Sequence, residues 1–332
     1  MAYNLDAVLA STHARIEKKF QDNLVNKNAM YLKFVEQNGR SLVDGGSELS
    51  FPVILDDGNA GSYYGDDVLT VDRPEGLLKL DFDWRQFYST IVIDGIEEIM
   101  NAGPEKAADL VEGRMTQAEI TTANKFEAML CGDATGNVGG DGTARDWNGL
   151  QNLIADDPTV GTIGGLSRVT YSALRNQRYT TAVTGFNTAQ AGRNAMSTLW
   201  VNCTNGGRSP NFGVTTPAIW TLYQLSLTLN EQYIMNGDKK LASAGFPNIS
   251  FMGNMPIVFS SNCLASHMYF IRIAKPKTDG GTFLVLSKAR NFKMGKFIEP
   301  IDQDKRVAKV LSAGQLCTDA PYLNGVATSI TG

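Results

Sequence analysis

The chain has 332 residues, 43% of them hydrophobic and 19% charged, enough apolar material for a sizeable core and too little charge for disorder. Its net charge of -4 lacks the basic excess of a general nucleic-acid binder, although a local basic face stays open. No run approaches the ~18 apolar residues of a membrane helix, and the opening MAYNLDAVLASTHARIEKKF, acidic at Asp6, does not read as a secretory signal.

Residues 1–40 carry short apolar clusters interrupted by asparagines, which predicts an arm with one or two helices. From Gly45 the texture changes. ELSFPVIL predicts a short strand, placed at an edge or kink by Pro52. DDGNAGSYYGDD predicts a turn-rich tip. GLLKLDFDWRQFYSTIVI then runs from Gly76 to Ile93 without proline or internal glycine. It alternates Leu78, Leu80, Phe82 and Trp84 against Lys79, Asp81 and Asp83, and strand formers continue through Phe87, Ser89, Ile91 and Ile93. Read as one strand it would span roughly 50 Å. A two-stranded arm cannot bury its own apolar face, so the row Leu78, Leu80, Phe82 and Trp84 needs a cover from elsewhere.

GPEKAADLVEGRMTQAEITTANKFEAMLCG predicts one long helix over 104–131. Pro104 and Glu105 suit its first turn, Val111, Met115, Ala118, Phe126 and Met129 recur at helical spacing, and Gly132 follows as a stop. At about 42 Å it is far longer than usual. Downstream, NTAQAGRNAMSTLW predicts a second amphipathic helix. NFGVTTPAIWTLYQL predicts a strand and then a helix opening at Pro217. FPNISFMGNMPIVFSS, HMYFIRIA and TFLVLS predict strands, and RVAKVLSAGQLCTDAPYLNGVATSI begins and ends as one.

Signals for chemistry are sparse. His13 and His267 have no metal-ligand partner at helical spacing. Cys131, Cys203, Cys263 and Cys317 show no paired spacing and read as reduced thiols in a cytoplasm. GNVGGDGTARDWNG lacks the lysine of a phosphate-binding loop and reads as a surface turn. Asp56, Asp57, Asp66 and Asp67 lie at a loop tip too exposed for acid–base work. We expect no catalytic residues, cofactor or metal. Two basic clusters, Arg15, Lys18, Lys19 and Lys27 near the start and Lys288, Arg290, Lys293 and Lys296 near the end, are either solvated faces or contacts to phosphate or an acidic neighbour.

The order of these segments resembles the major capsid proteins of tailed bacteriophages, the Hong Kong 97-type fold. ELSFPVIL, GSYYGDDVL and GLLKLDFDWRQFYSTIVI are similar to that family's extended loop, and GPEKAADLVEGRMTQAEITTANKFEAMLCG to its spine helix. WNGLQNLI, NTAQAGRNAMSTLW with NFGVTTPAIWTLYQL, MPIVFSSNCL and the closing strands follow in the family's order, so the resemblance covers about residues 40–332. It implies an α+β fold with an N-terminal arm (1–44), an extended β-hairpin loop (45–93), a peripheral domain with the spine helix (94–184), an axial domain (185–305) and C-terminal strands returning to the peripheral domain (306–332).

The resemblance implies a structural protein without a catalytic site. Its partners would be further copies of itself, in pentamers and hexamers that close an icosahedral shell around double-stranded DNA. Leu78, Leu80, Phe82 and Trp84 would then be buried between subunits, and Arg15, Lys18, Lys19 and Lys27 would face the genome in weak, nonspecific contact. The extended loop starts too early for a fused scaffolding domain, which implies a separate scaffolding protein or assembly without one, alongside a portal and decoration proteins. The location would be the virion capsid, assembled in the host bacterial cytoplasm without a membrane. Two alternatives stand beside it: an encapsulin-like compartment shell holding protein cargo, and a small-molecule enzyme, which would need a pocket of convergent polar groups.

Overall fold

The computed structural model describes residues 29–55, 58–72, 76–100, 110–138, 143–187, 190–227, 249–252, 255–276 and 280–332. In chain order the elements are α1 (Ala29–Glu36), β1 (Arg40–Val43), β2 (Leu49–Ile54), β3 (Leu77–Phe82), β4 (Arg85–Asp94), α2 (Gly95–Met100) and α3 (Leu110–Cys131). After these come α4 (Leu150–Leu153), β5 (Thr162–Ile163), β6 (Leu166–Ser167), β7 (Gln177–Tyr179), α5 (Ala191–Asn202), β8 (Phe212–Thr215) and α6 (Pro217–Ser226). The chain closes with β9 (Ile249–Phe251), β10 (Met255–Phe259), β11 (Met268–Ile271), β12 (Thr282–Ser287), β13 (Lys293–Met294), β14 (Lys305–Thr318) and β15 (Gly325–Ala327). The class is α+β, as the segment order implied.

The described residues fall into two compact units. The larger holds those within 29–87, 124–292 and 312–332. In it a six-stranded sheet runs in the order β7-β15-β11-β8-β10-β9. Strands β8 and β11 are buried at every residue, which is why FGVT and MYFI read as runs without strict alternation. Met196 and Leu199 of α5 and Ile219 and Tyr223 of α6 share a buried cluster with Ile257 and Phe270 of this sheet. A Cβ at Gly325 would stand 2.5 Å from Cys203 Sγ and 2.8 Å from Leu199, so this glycine is what lets α5 approach β15. Helix α6 opens as its sequence predicts, with Pro217 in the first turn and the Thr216 hydroxyl accepting from the Ile219 N–H at 3.5 Å.

A second core lies under β12, which pairs in parallel with β1 and antiparallel with residues 314–318 of β14. At its centre Phe126 sets its ring edge-on to Trp147 at 5.3 Å, Phe292 at 5.1 Å and Tyr31 at 5.7 Å.

The smaller unit holds the described residues within 88–123 and 293–311. Ile91, Ala118 and Ala308 form its buried centre, with Met115, Met294 and Val310 packed against them. Strand β13 pairs antiparallel with β14 at Lys293–Leu311 and Met294–Val310. Arg114 reaches Glu97 at 2.8 Å, and Lys305 reaches Asp94 at 3.5 Å.

Two expectations change here. The described part of the long helix is Leu110–Cys131, so its predicted start at Pro104 lies outside the described residues. The single strand over 76–93 is in fact two strands, broken at Asp83 and Trp84. Up to Phe82 the even-numbered side chains point inward; from Phe87 the odd-numbered ones do. A period-two strand cannot change faces without a break. The break is tied down from three sides: Gln315 Nε2 donates to the Asp83 carbonyl at 3.3 Å, Trp84 Nε1 to the Gly46 carbonyl at 3.0 Å, and the Arg85 guanidinium to the Ala144 carbonyl.

Candidate assembly surface

The hairpin of β2 and β3 is the feature on which an assembly role turns. Its antiparallel register sets Leu49 opposite Phe82, Phe51 opposite Leu80, Val53 opposite Leu78 and Ile54 opposite Leu77. One face therefore carries Leu49, Phe51, Val53, Leu78, Leu80 and Phe82. The body of the same chain covers it. Leu80 is 0% and Phe82 5% exposed. The Phe51 ring lies edge-on to Phe283 at 4.8 Å. Gly164, at φ +54°, comes so close that a Cβ there would lie 2.8 Å from Leu80, and its carbonyl accepts from the Asp81 N–H at 3.0 Å. Leu78 and Trp84 are partly buried against the same core.

The apolar row does need a cover, but its own subunit supplies it. Leu80 and Phe82 have almost no surface left to give a neighbour. Trp84 is also a poor probe of subunit contact, because it packs against its own subunit's core and ties β4 to Gly46.

The opposite face is the uncovered one. Ile54 and Leu77, cross-strand partners, are 74% and 76% exposed. Beside them Asp81 accepts from the Ser50 hydroxyl at 2.5 Å and pairs with Lys79 at 2.8 Å. Both contacts hold the Asp81 carboxyl below the ordinary range, the Lys79 interaction first. Residues 58–72 continue the hairpin without regular strand and expose Tyr63, Tyr64, Val68, Leu69 and Val71, Val68 almost completely. This apolar tip has defined local contacts: the Asp67 carboxylate accepts from the Tyr64 N–H at 2.9 Å, and Asn59 Nδ2 donates to the Asp72 carbonyl at 2.6 Å. Residues 55–72 contain five aspartates and no lysine or arginine.

The smaller unit has an exposed surface of opposite character. Ile96, Ile99, Ile298 and Ile301 are exposed on it. Residues 293–309 carry five lysines and arginines against three acids. Of the late basic cluster, Lys288 is paired with Asp44 at 2.7 Å and Arg290 donates to Gln86 at 3.0 Å. Arg15, Lys18, Lys19 and Lys27 lie outside the described residues.

Groups that suggest chemistry are engaged structurally. His267 faces two acceptors, the Asp156 carboxylate from Nε2 at 3.0 Å and the Ala265 carbonyl from Nδ1 at 2.6 Å, and stacks on Tyr269. All four cysteines are buried, and burial pushes the Cys263 thiol up to about 12 and the other three higher. A groove of about 180 Å³ is lined by Asp81, Asp83, Arg85, Asn148, Asn152 and Gln315 among others. That is below the usual size of a small-molecule site. Its polar groups bond to one another: Asn152 to Asn148 at 2.9 Å, and the Asn148 N–H to Gln315 at 2.7 Å. Among the described residues no group of three or more acidic, histidine or cysteine side chains could hold a metal, and no helix is long and apolar enough to cross a membrane.

No family model and no curated protein matches the sequence. Solved structures do match, over nearly the whole chain. The capsid asymmetric unit of cyanophage A-1(L) is 16% identical, with 97% of this chain and 98% of that chain covered and a TM-score of 0.66. The capsid of a native GTA particle is 9% identical, covering 100% and 99%, also at 0.66. The SrpI encapsulin of Synechococcus elongatus PCC 7942 is 10% identical, covering 99% and 96%, at 0.57. This chain has the fold of the tailed-phage major capsid proteins.

Proposed function

We propose that this chain is a major capsid protein of a tailed phage. It assembles as pentamers and hexamers into an icosahedral shell around double-stranded DNA, with no catalytic role. The observation that carries the reading is the full-length likeness to capsid subunits, joined to a hairpin on which Ile54, Leu77 and the apolar side chains of the tip stay uncovered. Isolated apolar side chains on a surface are ordinary, but a contiguous exposed set marks an interaction site. Ile54, Leu77 and the tip from Tyr63 to Val71 lie across a neighbouring subunit. The aspartates of the tip favour a cationic seat, which the lysines and arginines of residues 293–309 on a second copy provide. Burying each large apolar side chain contributes about 1.5–3 kcal/mol, of which ordering and association costs remove a part.

Within this reading residues 185–305 give the axial domain and residues 94–184 with 306–332 the peripheral one, with strands exchanged across those bounds: β7 and β15 enter the six-stranded sheet of β8 to β11, and β12 pairs with β1 and β14. A separate scaffolding protein, a portal and decoration proteins complete the particle, which is built in the host cytoplasm. The genome meets Arg15, Lys18, Lys19 and Lys27. That contact is expected to be weak and nonspecific, falling steeply between about 50 and 200 mM salt as counterions are released. Changing all four to Gln is expected to weaken binding equally for every DNA sequence and to flatten the salt dependence. A salt titration of unassembled subunits measures this, and tight binding to one sequence at high salt would contradict it.

The encapsulin likeness supports a second reading, a compartment shell with protein cargo. The contents of purified particles decide. Nuclease-protected double-stranded DNA supports the capsid, and an enclosed enzyme supports the compartment.

A further inference from the structure

Glu127 lies in the last turns of α3 and is 7% exposed. Among the described residues it accepts a hydrogen bond from the Ser260 hydroxyl, which donates to Oε1 at 2.6 Å from the turn that follows β10. Ser260 is fixed in turn: its Oγ accepts from the Asn262 N–H at 3.2 Å, and its N–H donates to the Thr215 carbonyl at 2.9 Å. The titratable groups around the carboxyl are Cys131 one turn along α3, Cys263 in the same turn as Ser260, and Tyr269 on β11 behind them. Burial holds all three neutral, each well above its ordinary value. The nearby Asp156 and His267 are hydrogen-bonded to each other. No cation among the described residues bonds to Glu127. An ionised carboxylate here is desolvated with a single neutral donor, whereas a protonated one sits in the site without a buried charge.

We propose that the buried Glu127 carboxyl is a pH-sensitive latch: its neutral form lets the end of α3 pack on the turn after β10, and its ionised form, whose charge the Ser260 hydroxyl offsets only in part, loosens that packing as the solution becomes neutral. Burial raises the Glu127 carboxyl above the ordinary glutamate range, and the Ser260 bond only partly offsets this. The sign follows. Below about pH 4.3 the group is protonated in both the folded and the unfolded chain, and nothing is lost. As pH rises, the unfolded chain ionises first and the folded chain gives up stability, until pH passes the higher folded value. The latch is a property of the single subunit and does not depend on the capsid reading.

The test compares the full chain with Glu127→Gln, an isosteric stand-in for the neutral acid, in the same assembly state from pH 4 to pH 8. Thermal melts are expected to coincide at pH 4 and to separate by a few degrees toward pH 8, with Glu127→Gln the higher. Hydrogen exchange compared at equal pH is expected to show the gain in protection confined to the amides near residues 127–131 and 260–263. It grows up to about tenfold for each pH unit between the unfolded and folded values. A constant offset between the two proteins, or a wild type that gains on Glu127→Gln as pH rises, overturns the proposal. Ser260→Ala gives an independent check. It removes the donor that favours ionisation, so its melting temperature must fall more steeply with pH than that of the wild type; a parallel fall overturns the latch as well.

Discussion

Leu80→Ala is expected to destabilise the body of the subunit by about 2–5 kcal/mol, in unassembled protein as much as in assemblies. Leu80 is wholly buried in its own chain, against Phe51, Phe82 and the backbone of Gly164. Truncation leaves a cavity that cannot collapse, because Gly164 is held by its hydrogen bond to Asp81 and Phe51 by its contact with Phe283. Denaturant unfolding of unassembled subunits measures the loss. If Leu80 were covered by a neighbour, the variant would unfold like the wild type as a free subunit and fail only on assembly.

Ile54→Asp with Leu77→Asp is expected to do the reverse. These two side chains face each other across the hairpin on its outer side and touch no core. As free subunits the variant is expected to lose only about 1 kcal/mol, from the lost apolar cross-strand pair and the repulsion of like charges set opposite each other. Assembly should be lost, since two carboxylates in a buried subunit contact cost several kcal/mol unless paired. Sedimentation of both proteins under assembly conditions is the measurement. Normal particles from the double variant would place the subunit contact elsewhere.

The contrast between these two predictions marks what can be read from the chain alone. Alternation in LLKLDF assigns the inner and outer faces of β3 correctly, because period two is a local property. The break at Asp83 and Trp84 is legible too: the apolar parity changes from even at Phe82 to odd at Phe87, and no continuous strand permits that. What covers the inner face is not legible. Gly164, Phe283 and Gln315 are distant in sequence, and nothing local says that they converge on residues 80–85. The rule that a two-stranded arm needs a cover is sound; the step from there to a neighbouring subunit passes over the chain's own body. Glu127 is hidden for the same reason. Beside Phe126 in an amphipathic pattern it looks like a solvent-facing acid, and only the packing of the turn at Ser260 reveals that it is buried.

Electron microscopy of the purified protein is expected to show closed icosahedral shells built of pentamers and hexamers. In them the hairpin tip from Tyr63 to Val71 lies on a neighbouring subunit, and Leu80 remains inside its own. A protein that stays a single subunit at micromolar concentration under every assembly condition, with that tip left in solvent, would contradict that expectation.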